Sequence, residues 1–204
     1  MKQIYIFLIF IIILPFTFYG QNLILNGGCE NPGTGNINIP DSWGNTDTNG
    51  IQCFKDGSTG VMVNEGSYAF VKQSLKAGDF TLTQVIDLGS DESESVFDYS
   101  IDYNTFFNTT SQFSLLIEAL SSTDNDLGVL YNSGNITTSN TWQTHNGSTI
   151  RAQTGTQKLR ITLTWIREEV NDVILDNFTL IKNQTLSLAE FVNNSGIKLY
   201  PNPT

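Results

Sequence analysis

Two observations predict an all-β fold for this chain, an antiparallel β-sandwich or barrel. From Asn22 onward, apolar and polar residues alternate with period two in segment after segment, and helical periodicity is nearly absent. Between these runs lie clusters of Gly, Asn, Ser, Thr and Asp, residues that favour turns. Phe80 to Leu88 is the first long run, and it stops at Gly89-Ser90. Val96 to Tyr103 sets Phe97, Tyr99, Ile101 and Tyr103 on one face against Asp98, Ser100 and Asp102 on the other. Phe113, Leu115, Ile117 and Ala119 repeat the pattern. Leu159, Ile161, Leu163 and Trp165 do so against Arg160, Thr162 and Thr164. Val173 to Ile181 closes the series, with Asp176-Asn177 interrupting an apolar run. No internal repeat is found, and the alternation leaves strand order open.

The N-terminus reads as a signal peptide over residues 1–20. Lys2 precedes an apolar run from Ile4 to Leu14, then Pro15, then small and polar residues at Gly20-Gln21. That run is short for a membrane span, which needs about 20 apolar residues. The expectation is therefore cleavage near Gly20 and no membrane span in the mature chain. No cysteine follows closely enough to suggest a lipoprotein.

The formal net charge of −10 becomes −11 once Lys2 is removed. Such a balance repels a phosphate backbone, so nucleic acid is excluded as a partner. The remaining length suits one compact domain with a tail. Cys29 and Cys53 are the two cysteines. In an oxidising compartment an even pair reads first as a disulfide, with two buried free thiols as the alternative.

The order of landmarks resembles the galactose-binding-like jelly rolls found in many carbohydrate-binding modules of the CenC type. Asn22-Leu23-Ile24-Leu25-Asn26-Gly27-Gly28-Cys29-Glu30 is similar to their first strand, with Cys29 in place of an aromatic. Pro40-Asp41-Ser42-Trp43 resembles their Pro-x-x-Trp, and Gly66-Ser67-Tyr68-Ala69-Phe70 their Gly-Ser-Tyr-Ala strand. Thr83-Gln84, Thr141-Trp142 and Leu175-Asp176-Asn177-Phe178-Thr179-Leu180 match three later landmarks. The resemblance implies a jelly-roll β-sandwich over residues 21–182, with sugar binding as its expected activity.

It also implies a structural Ca²⁺ tying the first strand to the last, with Glu30 and Asp176 as the matching carboxylates. Ca²⁺ is hard and takes 6–8 oxygens, carboxylates and carbonyls together. Further ligands are expected from carbonyls in Pro40–Asn49 or Asn64–Ser67. The alternative has Asp176 capping a turn and Glu30 solvated. Zinc is not expected, because His145 is the only histidine and no thiolate cluster exists.

A sugar site needs flat apolar surface and a few convergent polar groups. Trp43 and Trp142 are core residues in the resembling family, and alternation puts Trp165 inward. Phe97, Tyr99 and Tyr103 also read as core. That leaves Phe106, Phe107 and Tyr131 beside loops as candidate rings. Asp98, Asp102, Arg151 and Arg160 are candidate hydrogen-bonding groups on outward faces. Catalysis lacks residue-level support. Glu118, Glu168 and Glu169 are available, but Glu168-Glu169 reads as a solvated pair, and no Gly-x-Ser-x-Gly elbow occurs.

Residues 183–190 read as a linker and 191–204 as the opening of a further, truncated domain. Ile197-Lys198-Leu199-Tyr200-Pro201-Asn202-Pro203-Thr204 resembles the first strand and turn of the type A C-terminal sorting domain of Bacteroidetes type IX secretion cargo. The resemblance implies passage through the periplasm to the outside or the cell surface, with the type IX machinery as partner. The sequence as a whole reads as a secreted noncatalytic module binding poly- or oligosaccharide. A structural or adhesive surface module is the alternative.

Overall fold

A computed structural model describes residues 20–33, 40–45, 50–72, 79–105, 111–166 and 173–183. Asn22 to Asn183 forms one compact unit. Eleven strands are described: β1 (Gly44–Asn45), β2 (Ile51–Lys55), β3 (Tyr68–Lys72), β4 (Phe80–Asp87), β5 (Val96–Thr105), β6 (Gln112–Leu120), β7 (Asp126–Asn132), β8 (Ile136–Thr137), β9 (Gln143–Arg151), β10 (Lys158–Trp165) and β11 (Val173–Lys182).

They form two antiparallel sheets. The six-stranded sheet runs β1-β4-β10-β6-β7, with β8 also paired to β6. The five-stranded sheet runs β2-β3-β11-β5-β9. Neighbours in each sheet are mostly distant in sequence. The fold is an antiparallel jelly-roll β-sandwich.

Alternation produces the core. Phe80, Leu82 and Ile86 of β4, Phe113, Leu115 and Ile117 of β6, and Leu159, Ile161, Leu163 and Trp165 of β10 face inward. Phe97, Tyr99, Ile101 and Tyr103 meet them from β5. Burying such side chains removes roughly 1.5–3 kcal/mol each of unfavourable hydration. The Trp165 indole N–H donates to the Val173 carbonyl at 3.1 Å, so its polar edge is satisfied inside the core.

The first segment is laid along the last strand. The Leu23 amide donates to the Leu180 carbonyl at 2.8 Å, and Asn22 Oδ1 accepts the Leu180 amide at 2.9 Å. Gly27 must be glycine, because a Cβ there would stand 2.1 Å from the Phe178 carbonyl oxygen. Buried Gln84 joins this segment to the six-stranded sheet. Its amide nitrogen donates to the Leu25 and Ser42 carbonyls, and its oxygen accepts the Leu25 amide. Cys29 and Cys53, both fully buried, are disulfide-bonded with Cα atoms 5.5 Å apart. The bridge fixes the first segment to β2.

Candidate functional site

The two outer faces of the sandwich differ. On the five-stranded sheet, Val61 and Val63 of the segment after β2 pack onto the outer face. Val61, Ala69, Val71 and Ile174 form a buried cluster there, with Phe54, Val63 and Trp142 packed against it. Asp102, Asn104 and Asp176 are buried on the same side. This part of the face is closed.

The outer face of the six-stranded sheet is open, and alternation lays it out in rows. Register aligns Val85 with Arg160, Arg160 with Glu118, and Glu118 with Val129. This row crosses β4, β10, β6 and β7, a span of roughly 14 Å at the usual strand spacing. Val85 and Val129 at its ends are 52% and 54% exposed. Between them, Arg160 Nε donates to Glu118 Oε2 at 2.8 Å and Nη2 to Oε1 at 2.9 Å, a planar bidentate fork. Arg160 Nη2 also lies 3.5 Å from Asp126 Oδ2. Hydrogen bonding to Glu118 raises the guanidinium pKa above its ordinary value, which keeps Arg160 cationic.

The adjoining rows are Thr83–Thr162–Leu116 and Thr81–Thr164–Ser114. On the other side, Lys158 is paired with Asp124 at 2.8 Å and lies in register with Asp87. Among the described residues, the face is thus lined with hydroxyls, apolar at two ends and ionic in the middle.

A second arrangement lies where the first segment meets the closing strand β11. Asp176 is fully buried at a bulge in β11, beside Asn177 with φ 49°. Its Oδ2 accepts the amides of Asn64 and Glu65, both at 3.0 Å, and its Oδ1 accepts the Asn177 amide at 2.7 Å. Glu30 Oε1 accepts the amides of Ser67 at 2.8 Å and Tyr68 at 3.0 Å. Gly28 lies between the carboxylates, its Cβ position 3.5 Å from Asp176 Oδ1 and 3.6 Å from Glu30 Cγ. Gly66, at φ +75°, is required for the approach, since a Cβ would stand 2.2 Å from Glu30 Oε1.

Burial pushes the Asp176 carboxyl up to about 6, and the Glu30 charge acts in the same direction, while the three amides oppose. The amides therefore leave part of the carboxylate charge uncompensated. Among the described residues neither carboxylate has an ion-pair partner. Two neighbouring carboxylates of like charge are the kind of hard oxygen donor that a divalent cation such as Ca²⁺ takes. At both carboxylates the 64–68 segment presents N–H groups. Carbonyls of Pro40–Asn49 or Asn64–Ser67 were the expected contribution. Among the described residues no cluster of three metal-ligating side chains occurs.

The sequence-derived candidates separate in space. Arg160 lies on the open face. Asp102 lies on the closed face, held by Thr144 Oγ1 at 2.6 Å, Asn64 Nδ2 at 2.7 Å and Asn177 Nδ2 at 3.3 Å. Its carboxylate is occupied in anchoring loop and bulge. Asp98 accepts from Asn183 Nδ2 at 3.0 Å, and Arg151 pairs with Glu94 at 2.7 Å. Tyr131 packs inward against Tyr99, ring centroids 4.7 Å apart, so it is no exposed platform. Phe106 and Phe107 lie outside the described residues, as do Glu168, Glu169 and the tail. Trp43 and Trp165 are buried as expected, whereas Trp142 is half-buried outside the sandwich.

Glu118, Val85 and Val129 were not identified as site residues by sequence reasoning. The structure exposes Val85 on the outer face of β4, and the register joining it to Arg160 and Glu118 leaves no mark in the sequence.

Comparison with known proteins bears on the fold. No protein-family model matches the chain, and no curated protein sequence does. Among solved structures it is similar to TmCBM61 in complex with β-1,4-galactotriose, with TM-score 0.59 and 17% identity over 80% of this chain and 99% of that one. It is also similar to a family 16 carbohydrate-binding module, with TM-score 0.55 and 14% identity over 78% of this chain and 99% of that one. A cyclase from Fischerella sp. TAU, bound to 4-(1H-indol-3-yl)butan-2-one, gives TM-score 0.58 and 16% identity, covering 80% and 98% of the two chains. The likeness is to the jelly-roll sandwich of carbohydrate-binding modules, a fold that also carries an enzyme. Fold does not select chemistry.

Proposed function

We propose that this chain is a secreted, noncatalytic module that binds a poly- or oligosaccharide on the open face of the six-stranded sheet. The observation that carries the reading is the row Val85–Arg160–Glu118–Val129 with its bordering hydroxyls. Sugars present C–H faces and hydroxyls. The valines supply apolar contact, while the Arg160–Glu118 fork and the threonines supply donors and acceptors held in place. The galactotriose bound to one similar fold adds support. Glu118 has both oxygens engaged by Arg160, which leaves it a poor general acid or base and favours binding over hydrolysis.

In this reading Ca²⁺ sits at Glu30 and Asp176 as a structural ion, binding the first segment to the closing strand. The N-terminal signal-like segment supports export to the periplasm. The tail's resemblance to a type A sorting domain supports delivery by the type IX machinery to the outside or the cell surface.

The second reading is an adhesive or structural surface module. It is favoured by one observation: among the described residues the open face carries no aromatic ring. A glycan array probed with the chain, with and without Ca²⁺, separates the two. Binding that is lost in Arg160→Ala supports the first. No binding to any plant, algal or host glycan would leave the adhesive reading standing.

A further inference from the structure

We infer that the ligand of the open face is an uncharged glycan and that the face rejects uronate- and sulfate-bearing ones; the inference rests on the glycan-binding reading above. It is the ionic pattern of the face that leads there. Among the described residues, Arg160 and Lys158 are the two cations of this face, and four carboxylates accompany them: Glu118, Asp126, Asp124 and Asp87.

Both cations are already paired with carboxylates of the chain. Glu118 takes Nε and Nη2 of Arg160 in the fork, and Asp126 stands 3.5 Å from the same Nη2. Asp124 takes the Lys158 ammonium at 2.8 Å. An anionic sugar would have to displace a carboxylate from Arg160 or approach a surface with more acids than bases. Like-charge juxtaposition of that kind disfavours the anionic partner.

Neutral hydroxyls meet no such barrier. Thr83, Thr162, Thr164 and Ser114 line the adjoining rows, and each hydroxyl both donates and accepts. The carboxylates that hold Arg160 keep lone pairs for sugar O–H donors. The chain's net charge of −10 acts in the same direction at longer range.

The test is affinity electrophoresis of the chain at low ionic strength in gels containing matched polymers. Neutral gels would hold β-1,4-galactan, xylan or glucan, and acidic gels polygalacturonate, alginate or a sulfated galactan. The expected result is retardation by at least one neutral polymer, with affinity at least about tenfold above that for any acidic one. The double variant Glu118→Gln/Asp126→Asn, which frees Arg160, is expected to gain affinity for the acidic gels. Stronger retardation by an acidic polymer than by every neutral one would overturn the inference while leaving glycan binding intact. No retardation in any gel would overturn the binding reading itself, and the inference with it.

Discussion

The Tyr131 hydroxyl on β7 lies 2.8 Å from Nε2 of His145 on β9, joining the six-stranded sheet to the five-stranded one at the edge where both end. Tyr99 completes the contact, its hydroxyl 3.0 Å from the same nitrogen. Edge strands are prone to fraying and to pairing with other chains. Here a hydrogen-bonded aromatic group ties the two edge strands together. Gly147 belongs to the same construction, since a Cβ there would stand 2.6 Å from the Tyr99 ring.

This contact gives the chain an acid-sensitive element. Burial lowers the His145 pKa below its ordinary value, so the native state holds the imidazole neutral. The unfolded chain takes up that proton first, so stability falls as pH drops through about 6.5. His145→Gln, which does not titrate, is expected to lack this loss. The check is thermal melting of both proteins between about pH 7.5 and 5.5, read as the difference between the two profiles. Identical profiles would refute the assignment. Tyr131→Phe is expected to lower stability by about 1 kcal/mol at neutral pH.

The disulfide has a separate effect. Closing a loop with a sequence separation of 24 restricts the unfolded chain. The chain-entropy model gives roughly 3 kcal/mol of stabilisation for such a loop. The Cys29→Ala/Cys53→Ala variant should therefore melt several degrees lower, and so should the wild type in reductant. An unchanged melting temperature under reduction would show that packing of the first segment along β11 holds it without the bridge.

Most of the fold was legible in the sequence because alternation is a local property. The runs at Phe80, Val96, Phe113, Leu159 and Val173 became β4, β5, β6, β10 and β11 with the expected faces inward. The polar break at Asp176-Asn177 became a bulge with Asn177 at positive φ. The site was much less legible. Arg160 and Glu118 are 42 residues apart and meet only through the β10–β6 register. Asp102 and Arg160 both alternate outward, yet from different sheets, so period two could not tell the closed face from the open one. Tyr131 beside a Gly-Asn turn looked exposed, but bulges in the β6–β7 pairing turn it inward.

On the open face, Arg160→Ala is expected to weaken glycan binding at least about tenfold, as removal of a central hydrogen-bonding anchor does. Val129→Asp should weaken it too, by placing a charge where apolar contact is required. Asp98→Asn, on the other sheet, should leave affinity unchanged. Isothermal titration with whichever neutral oligosaccharide binds measures all three. A large loss in Asp98→Asn alone would move the site to the opposite face.

The last prediction concerns Asp176, where pH and cation act against each other. Its folded-state pKa of about 6 lies above the unfolded value of 3.8, so the native protein binds the proton more tightly. In chelator, stability should then rise as pH falls through about 6, by at most about 3 kcal/mol once both states are protonated. A bound Ca²⁺ reverses the sign. It favours the ionised carboxylates of Glu30 and Asp176, raises the melting temperature at pH 7, and is expelled by protons, so acidification lowers stability. Asp176→Asn removes the titrating group and should abolish both responses. Because His145 contributes its own acid-dependent loss, the measurement is the difference between wild type and Asp176→Asn, in chelator and in millimolar Ca²⁺. A wild-type melting temperature at pH 7 that ignores Ca²⁺ would show that the five amide donors of the 64–68 segment and Asn177 suffice to hold these carboxylates without an ion.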